Sequence, residues 1–403
     1  MNRQTLRTPA LILVGSGLLL SIAMGVRHGF GLFLQPMSAD LGWSRETFAF
    51  AIALQNLLWG AMQPITGMIA DRYGAGRVIF AGALLYVAGL VVMAYSQTGA
   101  QFALGAGVLI GLGLSGVTFS VVLGVVGRAV APEKRSMALG IAAAAGSAGQ
   151  FLMLPIEQSL ISGYGWFVAL LVIAAIAALM MPLAAALAEP ARTPAPGPRQ
   201  SAGEAVREAL GHRGFALLTL GFFVCGFQVV FIGVHLPDYL IDKGLSAKTG
   251  MIALALIGFF NIIGTYVAGW LGGRLPKKYL LSGLYFGRSV VIVVFLLAPL
   301  STTSVYLFAA SIGVLWLATV PLTNGLVAQI FGVQFVSMLG GFVFFSHQIG
   351  SFLGVWLGGL LFDRTGSYGI VWMIAVALGL FAAIVNLPID ERTIPRGAPA
   401  PAV

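Results

Sequence analysis

Apolar runs long enough to cross hydrocarbon as helices, each ended by a short polar break, recur along the whole chain. A membrane-spanning helix needs roughly 20 apolar residues. Such runs fall at 10–35, 47–70, 77–96, 101–127, 136–159, 166–187, 214–240, 249–272, 279–299, 303–330, 336–362 and 368–388. Lipid must face much of this surface, because 59% of the residues are hydrophobic and only 9% are charged. Ordinary water-facing chains carry about 25% charged residues. The expected fold class is therefore all-α integral membrane, with twelve transmembrane helices. Arg3 and Arg7 resemble the basic start of a signal peptide, but no small-residue cleavage site ends the long run that follows.

The net charge of +9 is distributed like a topology signal rather than a nucleic-acid footprint, since no basic stripe interleaved with aromatics occurs. With both termini in the cytoplasm, only Arg45, Lys243, Lys248 and Arg364 lie outside, and Arg27 and Arg288 lie within the membrane. All other basic residues then fall inside, as the positive-inside rule requires. The expected location is the cell (inner, cytoplasmic) membrane, multi-pass. Cys225 is the single cysteine and lies in an apolar run, and the four histidines show no metal or catalytic spacing. No cofactor, metal or enzymatic activity is expected. The partners implied are a small solute, the lipid bilayer and no nucleic acid, for a monomeric chain.

The longest polar break, 189–212, opens with Pro and Gly and closes with a helical pattern from Glu204 to Leu210. It reads as a cytoplasmic linker between six-helix halves at 1–188 and 213–403. An internal repeat supports the division. Ser136 and Met137 match Ser337 and Met338, after which Gly140 falls on Gly341, Gly149 on Gly350, Phe151 on Phe352 and Gly165 on Gly366. GMIADR (Gly67 to Arg72) likewise matches GWLGGR (Gly269 to Arg274). Same-direction repeats of six helices occur in one large class of transporters.

Over essentially its full length the chain resembles the major facilitator superfamily. The resemblance rests on Gly67, Asp71, Arg72, Gly74 and Arg77 in GMIADRYGAGR, which is similar to the family's loop between helices 2 and 3. It implies two six-helix bundles and a cytoplasmic gate built from Asp71, Arg72 and Arg77. The alternative is that Arg72 and Arg77 are only positive-inside anchors. In the second half Gly273 stands where the acid would be, leaving Arg274 to act against helix-end carbonyls.

Charged groups at membrane depth are expensive and mark function. Arg27 and His28 lie in the second half of the first run, Arg288 near the middle of the ninth, and His347 near mid-depth in the eleventh. Neighbours on a helix point about 100° apart, so one of Arg27 and His28 is expected to line a cavity and the other to brace a helix. Each histidine also has a simpler reading, an interhelical hydrogen bond. Glu46, Glu157 and Asp238 fall near predicted helix ends, so a cavity lined by cations calls for an anion. A guanidinium suits a carboxylate. Gln55, Asn56, Ser120, Gln228, Asn261, Thr319 and Asn324 are candidate polar contacts, with Phe119, Tyr266 and Trp316 as candidate walls.

Within the superfamily the chain resembles the monocarboxylate and oxalate/formate porters through RHGFGLFLQPM, DLGWSRETF and FDRTGSY. That resemblance sets His28 where animal monocarboxylate carriers have a helix 1 lysine, and His347 near the helix 11 lysine of oxalate carriers. Asn261 and Thr265 take the helix 8 positions of an acid or Asn and a carboxylate-binding Arg, so that Arg is absent. The reading is a secondary active transporter moving a small organic anion by alternating access, either proton-coupled, since His titrates near neutral pH, or by anion exchange. A facilitator exporting drugs or other neutral or cationic metabolites would need an acid deep in the pore. A permease-like sensor is the reading from a different class.

Overall fold

Side-chain oxygens at the polar breaks start several of the helices. Ser44 accepts from the Thr47 amide, Ser246 from Thr249, and Thr98 and Ser301 form reciprocal capping boxes with Gln101 and Ser304. These caps satisfy amides that the first turn leaves without intrahelical partners. The computed structural model describes residues 8–130, 132–188, 201–332 and 336–394. Its long apolar helices are α1 (Pro9–Leu41), α2 (Arg45–Tyr73), α3 (Ala75–Ala94), α4 (Gly99–Val126), α5 (132–164) and α6 (166–186). The second half follows with α7 (Arg213–Asp242), α8 (Ala247–Gly272), α9 (Lys277–Leu297), α10 (Thr302–Phe331), α11 (Val336–Thr365) and α12 (Gly369–Asn386).

Between α5 and α6 the sequence suggests a short polar break, whereas helix lies on either side of a single kink within Pro132–Ala178. The two spans are separated instead by one residue, Gly165, at φ 78° and ψ 165°. Only glycine visits that conformation freely, so a single position redirects the chain. A short helix, Ala202–Gly211, precedes α7, and Ser201 and Glu204 close its capping box. Most of the 189–212 segment, from 189 to 200, lies outside the described residues.

Each half packs around an apolar core that draws in residues of the other, Val230, Val234 and Val355 joining the first and Leu32 and Leu154 the second. Leu20, Phe33, Phe48, Tyr86 and Leu170 belong to the first, and Phe231, Phe308, Trp372, Leu281 and Leu326 to the two cores of the second. Within the halves, α1 lies along α5 and α7 along α11; across the seam, α2 packs on α11 and α5 on α8. Small residues set the close approaches. A Cβ on Gly264 of α8 would collide with the Val314 carbonyl of α10. Gly264→Ala is therefore expected to lower stability by about 1–3 kcal/mol through overpacking. Gly283→Ala, where a Cβ would meet nothing within 4 Å, is its control, and thermal unfolding in detergent compares the two.

Candidate functional site

Three of the helices are not regular through the membrane, and the site is built around their breaks. α1 tightens to a 3-10 turn at Gly29–Phe33. α4 passes through extended backbone at Thr118, with φ −112° and ψ −167°. α10 loses its helical ladder after Leu315 and resumes at Thr319. Backbone groups freed in hydrocarbon must be satisfied internally, and named side chains do this. Thr118 Oγ1 donates to the Leu114 carbonyl at 2.6 Å and accepts from the Trp59 indole at 2.9 Å. At the α10 break Asn261 Oδ1 accepts from the Leu317 amide at 3.0 Å and from Thr265 Oγ1 at 3.1 Å. Arg288 serves the opposite polarity, with Nε and Nη2 donating to the Leu315 carbonyl at 3.0 and 2.8 Å and Nη2 also to the Trp316 carbonyl.

Between the halves lies a cavity of about 550 Å³. Of the expected contacts, Arg27, His28, Gln55, Asn261, Trp316 and His347 line it, as do Phe119 and Asn324. Both Arg27 and His28 reach it, rather than one alone. The Arg27 guanidinium donates to Asn56 Oδ1 and lies 4.9 Å from the Trp59 ring centroid, with its Nε unpartnered. His28 leans the other way, its Nε2 3.4 Å from the Leu254 carbonyl of α8. Across the cavity His347 lies between Phe222 and Phe344, with centroids at 4.9 and 5.6 Å, and contacts Gln348 Oε1 at 3.0 Å. Among the described residues, no carboxylate lines the cavity.

Two of the expected substrate contacts stand behind the wall. Asn56 is fully buried and holds Arg27. Arg288, 1% exposed, does not line the cavity, because its donors are taken up by the α10 break. Its charge at membrane depth signalled a function, but that function is holding a broken helix. Gln228 is likewise occupied, donating to Ala375 O at 2.8 Å, and Tyr266 is 75% exposed on the outer surface of the bundle. Glu157 is not near a helix end: α5 continues to Gly165 and buries it completely. Asp71 and Arg72 lie in the last turn of α2, with side chains outside the description, as is that of Ser120; Arg77 is exposed at the start of α3. Arg274 donates to the Trp270 carbonyl at 3.2 Å, a helix-end contact of the kind expected.

The sequence reading missed the seal at the other end. Arg45 at the start of α2 pairs with Asp238 and, at 2.5 and 2.7 Å, with Asp242, both on α7. The Arg45 and Glu46 amides donate to Asp363 of α11 at 3.2 and 2.7 Å. The guanidinium lies 3.8 Å from the Phe362 centroid, and Tyr368 Oη donates to Asp238 at 3.1 Å. These residues are spread over three segments, and the one available signal was a set of opposite charges at the ends of α2, α7 and α11. With this end closed, the cavity extends toward the α2–α3 and α10–α11 turns, where Asn324 is exposed.

The Major Facilitator Superfamily sequence profile matches residues 16–334. The chain is a member of that superfamily. It is 27% identical over 386 residues to the uncharacterized MFS-type transporter YcxA of Bacillus subtilis, covering 91% of each chain. It is 26% identical over 389 residues to human monocarboxylate transporter 11, covering 94% of this chain and 82% of the relative. A bacterial homologue of the lysosomal transporter Spinster, solved inward-facing and occupied, superposes with TM-score 0.75 at 14% identity, over 94% of this chain and 96% of the other. That likeness concerns the fold. The protein is thus a multi-pass facilitator of the transporter class.

The Arg288 contacts give this facilitator a stability test. Arg288→Met keeps the bulk and leaves the Leu315 and Trp316 carbonyls bare, at an expected cost of about 1–3 kcal/mol for each buried group. A lowered Tm of the purified protein is the readout. Arg45→Ala is expected to loosen the seal by about 3–5 kcal/mol, since it breaks the partly exposed pair with Asp242 and leaves Asp238, 1% exposed, without its cation. It should show as alkylation of a cysteine placed at Gln35 beside the seal that is faster by about 100-fold or more.

Proposed function

We propose that this facilitator moves a small organic anion, a carboxylate, by alternating access, with Arg27 as the anchoring charge. The observation that carries the reading is a guanidinium in the cavity wall, held by Asn56 and beneath Trp59, with no carboxylate among the described residues that line that wall. A cation in a low-dielectric cavity is costly unless paired, and an anionic solute supplies the pair. Asn56 and Trp59 hold the guanidinium from one side and leave Nε without a partner. His28, Gln55 and His347 offer further polar contacts, while Phe119, Phe222, Phe344 and Trp316 provide apolar walls for the body of the solute. The name of the human relative supports a monocarboxylate.

The proposed setting is the cell membrane, with both termini on the cytoplasmic side and the chain acting as a monomer. The inside gate would be Asp71, Arg72 and Arg77, opposite the Arg45 seal. An exporter of neutral or cationic compounds would be favoured by an acid in the cavity wall, and a sensor by solute binding without exchange.

Counterflow in proteoliposomes with a panel of labelled mono- and dicarboxylates tests the reading. Uptake of at least one monocarboxylate is expected, with Arg27→Gln weakening apparent affinity by about 10- to 100-fold, the worth of a charged hydrogen bond. No exchange of any carboxylate, or an Arg27→Gln protein that behaves as the parent, rules the anion assignment out.

A further inference from the structure

Among the described residues, Glu157 is the one buried acid that neither the cavity nor the seal uses. It lies on α5, seven residues beyond the cavity-lining Gln150, or about 10 Å further along the helix. Its side chain has no exposed surface, and neither carboxyl oxygen has a hydrogen-bond partner. Gly29, the first residue of the 3-10 turn in α1, provides the notch: a Cβ there would collide with the carboxyl. The ionisable groups on the elements around it are otherwise engaged. Arg27 on α1 holds Asn56 and His28 faces Leu254 O. Tyr86 on α3 donates to Ala23 O at 3.0 Å. On α7, His235 contacts Val355 O and Tyr368, and Asp238 is bound by Arg45. On α8, Lys248 stands in the first turn and Tyr266 is exposed on the outer surface of the bundle.

We propose that Glu157 is a proton-binding site coupled to closure of the seal end of the facilitator. An ionised carboxylate with no partner in a dry notch is strongly disfavoured, whereas the neutral acid fits there. The turns of α5 on either side of Glu157 are covered by the second half. Leu154 belongs to the second-half core and Ile161 packs against it, while Gln158 lines a crevice with Pro237, Asp238 and Ile241 of α7. Separating the halves at this end strips that cover and lets water reach the carboxyl. In water a glutamic acid ionises above about pH 4.3, so closing at neutral pH takes up one proton from that face and opening returns it. Closure is therefore favoured as pH falls, and the ratio of closed to open forms changes by about tenfold per pH unit.

The test places a cysteine at Gln35, in the same crevice, and follows its alkylation by a membrane-impermeant maleimide in cells at several external pH values. Paired measurement in the Glu157→Gln background removes the slope due to thiol ionisation. The Gln35→Cys protein is expected to label more steeply with rising pH than the Glu157→Gln pair, by up to about tenfold per unit. Equal slopes overturn the proposal. Infrared spectra of the purified protein at neutral pH give a second reading: a protonated-carboxyl band, lost in Glu157→Gln, or shifted in Glu157→Asp should the first variant not fold. A parent protein without such a band, or a band unmoved by either substitution, overturns it too. Neither readout uses a solute, so failure here leaves the organic-anion reading standing, and failure of that reading leaves this one.

Discussion

Within hydrocarbon every peptide N–H and C=O needs a partner from the protein itself, and the interior of this facilitator is arranged around places where its helices cannot supply one. α4 opens at Thr118 and α10 between Leu315 and Thr319, and the repeat that sets Ser136 on Ser337 sets Thr118 on Thr319, the far edge of the α10 break. In the first half a hydroxyl and an indole hold the break. In the second a carboxamide takes the freed amide and a guanidinium takes the freed carbonyls. Irregular backbone at membrane depth is tolerated where it is buried in protein or lines a cavity, and the α10 break meets both conditions. Trp316 and Leu317 face the cavity while Arg288 lies behind them.

This divides the polar residues of the spans into two sets with different tasks. Asn56, Gln228, Thr118 and Arg288 are consumed by protein partners and keep the wall rigid. Arg27, Gln55 and Gln150 retain unpartnered atoms and face the cavity. Asn56 with Trp59 fixes the geometry of Arg27, as the role proposed for it requires, since a recognition group works best when set before the solute arrives. His347, confined between Phe222 and Phe344, is held in the same manner from the other half.

Hydropathy alone reveals the spans, because their lengths are set by the bilayer and their ends by caps that are local in sequence. The α5–α6 boundary is harder to read, since one glycine conformation at Gly165 does the work of a loop. Arg27 and Arg288 look alike in sequence, each a lone cation in an apolar run. What separates them is the direction the side chain takes and the state of the neighbouring backbone, and a broken helix on α10 leaves no mark within α9. Glu157 was misplaced for a related reason: α5 runs longer than its apolar stretch, so a residue assigned to a helix end is enclosed. The Arg45 seal draws on α2, α7 and α11, and only the tertiary arrangement brings those charges together.

Close glycine packing holds each half together and also joins the halves across the seam. Gly25 and Gly149 bring α1 and α5 backbone to backbone, and Gly226 and Gly350 do the same for α7 and α11. Such packing depends on dense short-range contact, which is lost steeply on separation, so each pair holds together as a body. At the seal end the halves meet through packing of the same kind, since a Cβ on Gly359 of α11 would crowd the Arg45 carbonyl of α2 and one on Gly31 of α1 the Gly233 carbonyl of α7. Arg45, its acidic partners and two amides on Asp363 add polar contacts there. The partly exposed pair with Asp242 contributes little net free energy, because water replaces what each partner loses, whereas Asp238 is buried and depends on its cation. Opening this end therefore separates close-packed backbone together with the charges, around a cavity whose wall is already in place.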